Sequence, residues 1–152
     1  MDRKLFAAGL AFALGAGYAL TAFSQAKPEV LVKQRQAVMT LHAKYLGPLA
    51  GMAQGKIPFD AAIVARNAGY LDVLDKMPWD GFDPSTKGEK SGALPAVFAE
   101  PAKFKEAQER LQSEVAKLVS VSKGGDEAAV KAQIGAVAKA CGGCHDNFRE
   151  KR

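Results

Sequence analysis

Val130, Ile134, Val137, Cys141, Cys144 and Phe148 recur at steps of 4, 3, 4, 3 and 4 residues. That spacing keeps one face of an α-helix apolar over about five turns. A strand is excluded, because its side chains change face at every residue. Both cysteines of the chain sit on this stripe, so they point into whatever the helix packs against. A helix with one apolar face needs partners, and the rest of the chain supplies them.

Three further stretches show helical spacing. The first is expected over residues 28–51, with Pro28 in its first turn, where a missing N–H costs nothing. Its stripe is Leu31, Val38, Leu41, Tyr45, Leu49 and Met52, and Gly47-Pro48 is expected to bend or end the regular part. The second is expected over 59–77, capped by Asp60, with Ile63, Asn67, Tyr70, Leu71 and Leu74 inward and Met77-Pro78 closing it. The third is expected over 101–122, with Phe104, Ala107, Leu111, Val115, Leu118 and Ser122 on one face. The break Lys123-Gly124-Gly125-Asp126 separates it from the fourth, expected over 126–150 and capped by Asp126. The link over 78–101 holds four of the seven prolines, and a connection of that length has a job or carries a short helix. Trp79, Phe82, Leu94, Val97 and Phe98 can anchor it. No internal repeat or alternating strand pattern is present. The pattern predicts an all-α, antiparallel four-helix bundle.

The chain begins Met1-Asp2-Arg3-Lys4, followed by an apolar run from Leu5 to Phe23 rich in Ala and Gly. Small residues follow, suited to cleavage after Ser24 or after Ala26, so residues 1–26 read as a secretory signal peptide. An uncleaved membrane anchor is the alternative, since the run could nearly span a bilayer. Cleavage leaves about 126 to 128 residues, one ordinary domain. The formal net charge is +5, and losing Asp2, Arg3 and Lys4 brings it to +4. Basic and acidic residues are interspersed, and no basic run is flanked by aromatics, which gives a nucleic-acid function little support. The basic end, Arg149-Glu150-Lys151-Arg152, complements a helix C-terminus.

Cys141-Gly142-Gly143-Cys144-His145 has the C-x-x-C-H spacing of c-type haem attachment. The two thiols form thioethers with the haem vinyl groups, and the following imidazole ligates iron. His145 lies four residues after Cys141 and shares its face of the helix. A dithiol redox pair would open a helix after a strand, and no strand pattern precedes Cys141. A structural zinc site takes four ligands; the motif supplies three, and His42, the other histidine, is about a hundred residues away. A plain C-x-x-C disulfide serves redox chemistry more than stability. Haem attachment also agrees with export, since c-type haem is attached outside the bacterial cytoplasm.

Three segments together resemble the cytochrome c′ family of class II c-type cytochromes, whose members are four-helix bundles. They are Cys141-Gly142-Gly143-Cys144-His145-Asp146-Asn147-Phe148-Arg149, Arg35-Gln36-Ala37-Val38-Met39-Thr40-Leu41 and Pro78-Trp79-Asp80-Gly81-Phe82. The C-x-x-C-H motif alone fits any c-type cytochrome; its place near the end of the chain separates this class from the small cytochromes c that carry it near the start. The resemblance spans essentially the whole chain after the leader. It implies one covalent haem c on Cys141 and Cys144, with His145 as axial iron ligand. Arg149, four residues further along the same helix, would lie beside that proximal face. Arg35 and Gln36 match positions that contact the haem propionates; without the resemblance the polar run from Lys33 to Gln36 reads as a solvated helix face. Met39 falls at the distal position, although its spacing alone reads as a core methionine. Trp79 and Phe82 would line the pocket edge. His42, three residues after Met39, could be a second axial candidate, but as a lone histidine on a helix it is expected at a surface or an interface.

Two functions compete. In the first, a five-coordinate iron held by His145 leaves its sixth site empty in an apolar pocket, excludes water and anions, binds NO and CO, and exchanges one electron. In the second, Met39 is the sixth ligand, the iron is low-spin, and the protein is a dedicated electron carrier. Trp79 and Phe82 incline the reading to the open site. A periplasmic bundle that binds a partner through an apolar face, with the motif incidental, carries little weight. The resemblance further implies a periplasmic, non-enzymatic protein with a redox partner, free of the membrane after cleavage. Its homodimer would form through the first two helices, although Ala37, Thr40, Ala43 and Lys44 make no apolar interface stripe.

Overall fold

The computed structural model describes residues 26–151. The leader expected over 1–26 therefore lies outside the described residues, apart from Ala26. Four long helices and one short one account for most of the described chain: α1 Pro28–Ala53, α2 Ala61–Leu74, α3 Ala96–Ala99, α4 Pro101–Val121 and α5 Glu127–Phe148. α1 packs on α2 and α5, and α4 packs on the same two, closing a four-helix bundle. None of these helices is long and apolar enough to cross a membrane.

The caps follow the sequence. Asp60 accepts a hydrogen bond from the Ile63 N–H at 3.0 Å and starts α2. Asp126 does the same for α5 with the Ala128 N–H at 3.0 Å. Gly125, at φ +76°, supplies the left-handed residue that the turn before α5 requires. The long link carries two 3-10 turns, Asp80–Phe82 and Pro84–Gly88, and the short α3.

Four expectations need correction. α1, expected over 28–51 with a bend or an end at Gly47-Pro48, is not ended there and runs through Pro48 to Ala53. Proline in a helix costs about 3 kcal/mol. Leu49 and Met52 just beyond it are buried, and such burial contributes about 1.5–3 kcal/mol per side chain. Packing therefore outweighs the breaker. α2 stops at Leu74, short of Met77, in a turn where the Met77 N–H bonds the Leu74 carbonyl. α5 ends at Phe148 rather than Glu150. Arg149 is extended and forms an isolated antiparallel bridge with Ala93, while the Leu94 N–H bonds Phe148 and the Glu150 N–H bonds Gly92, each at 2.9 Å. The link thus captures the tail and unwinds the last turn. Finally, Leu41 and Tyr70 are exposed rather than inward. The buried positions of α1 are Leu31, Val32, Arg35, His42, Leu49 and Met52. Two polar residues hold inward places, so a purely apolar template drifts off the true stripe.

The packed core fills one end of the bundle. It joins Leu49 and Met52 of α1, Val64, Ala68 and Leu71 of α2, Leu111, Val115 and Leu118 of α4, and Val130, Ile134, Val137 and Ala140 of α5. The other end is framed by the first half of α1, the first half of α4, the last turns of α5 and the link. There the side chains enclose a space.

Candidate functional site

That space is a cavity of about 700 Å³ with a mainly apolar wall, within the size range of small-molecule and cofactor sites. Arg35, Gln36, Met39, Trp79, Phe82, Cys141, Cys144, His145 and Arg149 all line it. Every site residue expected from the sequence is therefore brought to one place. A second depression, outside α4 and α5, touches Cys144 but neither Cys141 nor His145, and charged side chains ring it.

Cys141 and Cys144 stand on the wall contributed by α5, both with free thiols. Burial, with a smaller effect of Cys144 beside it, pushes the Cys141 thiol up to about 11. Burial also raises Cys144. Both are protonated at neutral pH, unlike the thiolate that dithiol exchange requires. Burial, then the positive charge of Arg149, lowers the pKa of His145 and favours its neutral, ligand-competent imidazole. No group of three or more His, Cys, Asp or Glu side chains among the described residues is placed to hold a metal ion unaided.

Arg35 crosses from α1 to the link. Its Nη1 donates to the Gly81 carbonyl and, at 3.0 Å, to Thr86 Oγ1; its Nη2 donates to Ser91 Oγ at 2.8 Å. The guanidinium lies 4.4 Å from the centroid of the Phe82 ring. It is only 3% exposed. Among the described residues it has no carboxylate partner, since the five ion pairs lie elsewhere. A buried cation with neutral partners only is an incomplete arrangement, which an anionic group completes.

Aromatic rings hold the cavity edge. Trp79 lies 6.2 Å from Phe82, Phe82 lies 4.9 Å from Phe104, and Phe104 lies 5.2 Å from Phe148, all centroid to centroid. The Trp79 indole N–H donates to the Asp75 carbonyl. Phe104 and Ser91 also line the cavity without a site signal in the sequence: Phe104 has the spacing of helix core, and nothing in the chain order marks Ser91. Arg149 keeps its place at the cavity despite leaving the helix. His42 is the clear correction: it is 7% exposed and lines the cavity, not a surface or an interface. Its signal in the sequence is its spacing, seven residues before buried Leu49 on α1, where the apolar stripe takes the neighbouring Leu41 instead.

The donor set fits a covalent haem. Two protonated thiols and a neutral imidazole share one wall, and a buried guanidinium lacks an anion. A second buried imidazole nitrogen, Nε2 of His42, has no hydrogen-bond partner.

A four-helix bundle with its haem-attachment motif at the end of the last helix defines a class II c-type cytochrome. The comparisons agree. The Cytochrome C′ family model matches residues 30–149. Cytochrome c′ from Rubrivivax gelatinosus is 44% identical over 126 residues, covering 82% of this chain and 98% of the relative. Its solved structure superposes with a TM-score of 0.78 at 43% identity, over 82% of this chain and 98% of that one. A nitric oxide complex of a variant of cytochrome c′ from Alcaligenes xylosoxidans superposes with a TM-score of 0.76 at 36% identity, over 83% and 98%. The chain belongs to the cytochrome c′ family. Its cofactor is the covalent haem c of that family.

Proposed function

We propose that this is a periplasmic, non-enzymatic haem protein that binds NO and CO and can exchange one electron. Cys141 and Cys144 would hold the haem through thioethers, and His145 would be the protein ligand of the iron in the form that takes up gas. Bound there, haem supplies a redox-active iron with one position left for a small ligand. The observation that carries this reading is the cavity itself, with His145 on the α5 wall, Met39 on the α1 wall and a mainly apolar lining.

The chain's residues divide the work. Cys141 and Cys144 anchor. His145, kept neutral by burial and by Arg149, ligates. Arg35 would take a haem propionate as its missing anion, with Gln36 beside it. Met39, half-buried on the α1 wall of the cavity, would restrict entry to small neutral molecules. Trp79 and Phe82 seal the edge against water. The nitric oxide complex of the Alcaligenes xylosoxidans relative supports the choice of ligand. Ferrous protein that is high-spin and takes up CO and NO bears the reading out.

Met39 as a true sixth ligand is the second reading, favoured by its place on the cavity wall; a sulfur-to-iron absorption band lost in Met39→Ala marks it. Export rests on the leader over residues 1–26. Homodimerisation through α1 and α2 is supported by Val30, Leu41, Tyr70, Val73 and Met77, large apolar side chains exposed on or just beyond those two helices.

A further inference from the structure

Ser91 has no task in that reading, and its bonds leave one open. It belongs to the link and lines the cavity together with Arg35. Its Oγ accepts from Arg35 Nη2 at 2.8 Å and from the Ala93 N–H at 3.3 Å. A serine hydroxyl has two acceptor positions and one hydrogen to give. Both acceptor positions are filled, so the O–H is left to donate. Arg35 is spent in the same partial way. Three of its five N–H groups are bonded, to Gly81, Thr86 and Ser91, and two are left. Thr86 helps to fix the guanidinium: its Oγ1 donates to the Asp83 carbonyl at 2.7 Å and so turns a lone pair to Arg35. Burial lowers the Arg35 pKa, but a guanidinium in a protein stays charged. Arg35 and Ser91, bonded to each other, thus hold only donors in reserve. A carboxylate answers such a set, because when ionised it only accepts.

Ser91 is also held in place, unlike a free surface serine. The link just beyond it is bonded to the end of α5 and the tail that follows. The Glu150 N–H donates to the Gly92 carbonyl and the Leu94 N–H to the Phe148 carbonyl, each at 2.9 Å. Ser91 stands between that clamp and the Arg35 side chain of α1. A hydroxyl already ordered in this way loses little freedom when it binds.

We propose that Ser91 binds a haem propionate directly, its O–H donating to the carboxylate that Arg35 holds. The proposal rests on Arg35 as the seat of a propionate in the reading above. A propionate carries negative charge on the haem itself and so favours the ferric state. Each hydrogen-bond donor offsets part of that charge. Ser91 therefore raises the reduction potential, and it ties the link to the haem as well as to α1 and α5.

The test uses purified holoprotein with haem attachment verified by staining. Ser91→Thr keeps the hydroxyl, and Ser91→Val has the shape of that variant without it. Ser91→Ala serves if the valine variant does not accumulate. Resonance Raman spectra read the propionate bending band, which drops in frequency when the carboxylate loses a hydrogen bond. Spectroelectrochemistry reads the reduction potential. Both the band and the potential are expected to fall in Ser91→Val and Ser91→Ala and to keep their wild-type values in Ser91→Thr. Arg35→Lys, which replaces the planar fork by a point charge, is expected to shift the band by itself. A band and a potential unmoved in Ser91→Val, with the band shifted in Arg35→Lys, overturn the proposal and leave Arg35 as the propionate seat. Values unmoved in every variant overturn both. Equal shifts in Ser91→Thr and Ser91→Val mark an effect of bulk and overturn the proposal as well. Wild-type chain without covalent haem overturns the attachment on which all of this depends.

Discussion

Gly81 presses against α1 at Arg35 so closely that a Cβ at Gly81 would stand 2.8 Å from the Arg35 Cβ and 2.9 Å from the Leu31 carbonyl oxygen. The neighbour on one side is backbone and on the other the rigid root of a side chain, so neither can give way. Gly81→Ala is expected to destabilise the protein by about 1–3 kcal/mol. It should also displace the turn between Trp79 and Phe82 that edges the cavity. Thermal unfolding measures the first effect, and faster CO association to the ferrous protein the second.

Cys141→Ala combined with Cys144→Ala is expected to abolish covalent haem and to prevent folded protein from accumulating. Both thiols line the cavity that the haem would otherwise fill, and the end of the bundle they face has no packed core of its own. Denaturing electrophoresis with haem staining checks this. A double variant that still carries stain would sink the attachment role.

Asp75 gives a pH dependence of definite sign. It is wholly buried, and neither carboxyl oxygen has a hydrogen-bond partner. Burial, against a smaller opposing effect of Lys76, raises its pKa from 3.8 to about 7. Between those values the folded chain keeps a proton that the unfolded chain has released. The Asp75 contribution to stability therefore falls as pH rises from about 4 to about 7, and is flat above. Asp75→Asn is expected to remove that slope and to stabilise the protein above pH 7 by up to about 4 kcal/mol, the shift of about three units converted at about 1.4 kcal/mol each. Denaturant unfolding of both proteins at pH 4.5 and pH 8 decides it, and equal differences at the two pH values would refute the assignment.

Met39→Ala is expected to speed CO and NO association to the ferrous protein, because on the proposed reading the side chain narrows the cavity without ligating. Stopped-flow mixing with CO reads the rate. An unchanged rate would remove Met39 from the entry path.

Periplasmic protein is expected to begin at Gln25 or Lys27, with about 2.5 kDa removed by signal peptidase. Intact mass of a periplasmic extract measures it. Full-length chain recovered from membranes would favour the anchor.

The chain order alone carries the bundle, the caps at Asp60 and Asp126, and the set Cys141, Cys144 and His145; the other expected site residues come from the resemblance. Each of these depends on short-range information: a 3.6-residue period, a capping carboxylate, a motif of five residues. The resemblance then assigned distant segments to one pocket, and folding brought all nine residues there. Tertiary structure decided matters in which distant segments compete. Whether Pro48 breaks α1 depended on the burial of Leu49 and Met52. Whether α5 keeps its last turn depended on Gly92, Ala93 and Leu94 capturing the tail. An apolar template misplaces His42, because it seeks inward positions among apolar residues, whereas α1 turns Arg35 and His42 inward at the cavity. Asp75 was invisible for a related reason. Nothing in its neighbours along the chain forecasts that folding would bury a carboxylate with no partner, at a point where Trp79 of the link and Gln112 of α4 both donate to the Asp75 main-chain carbonyl.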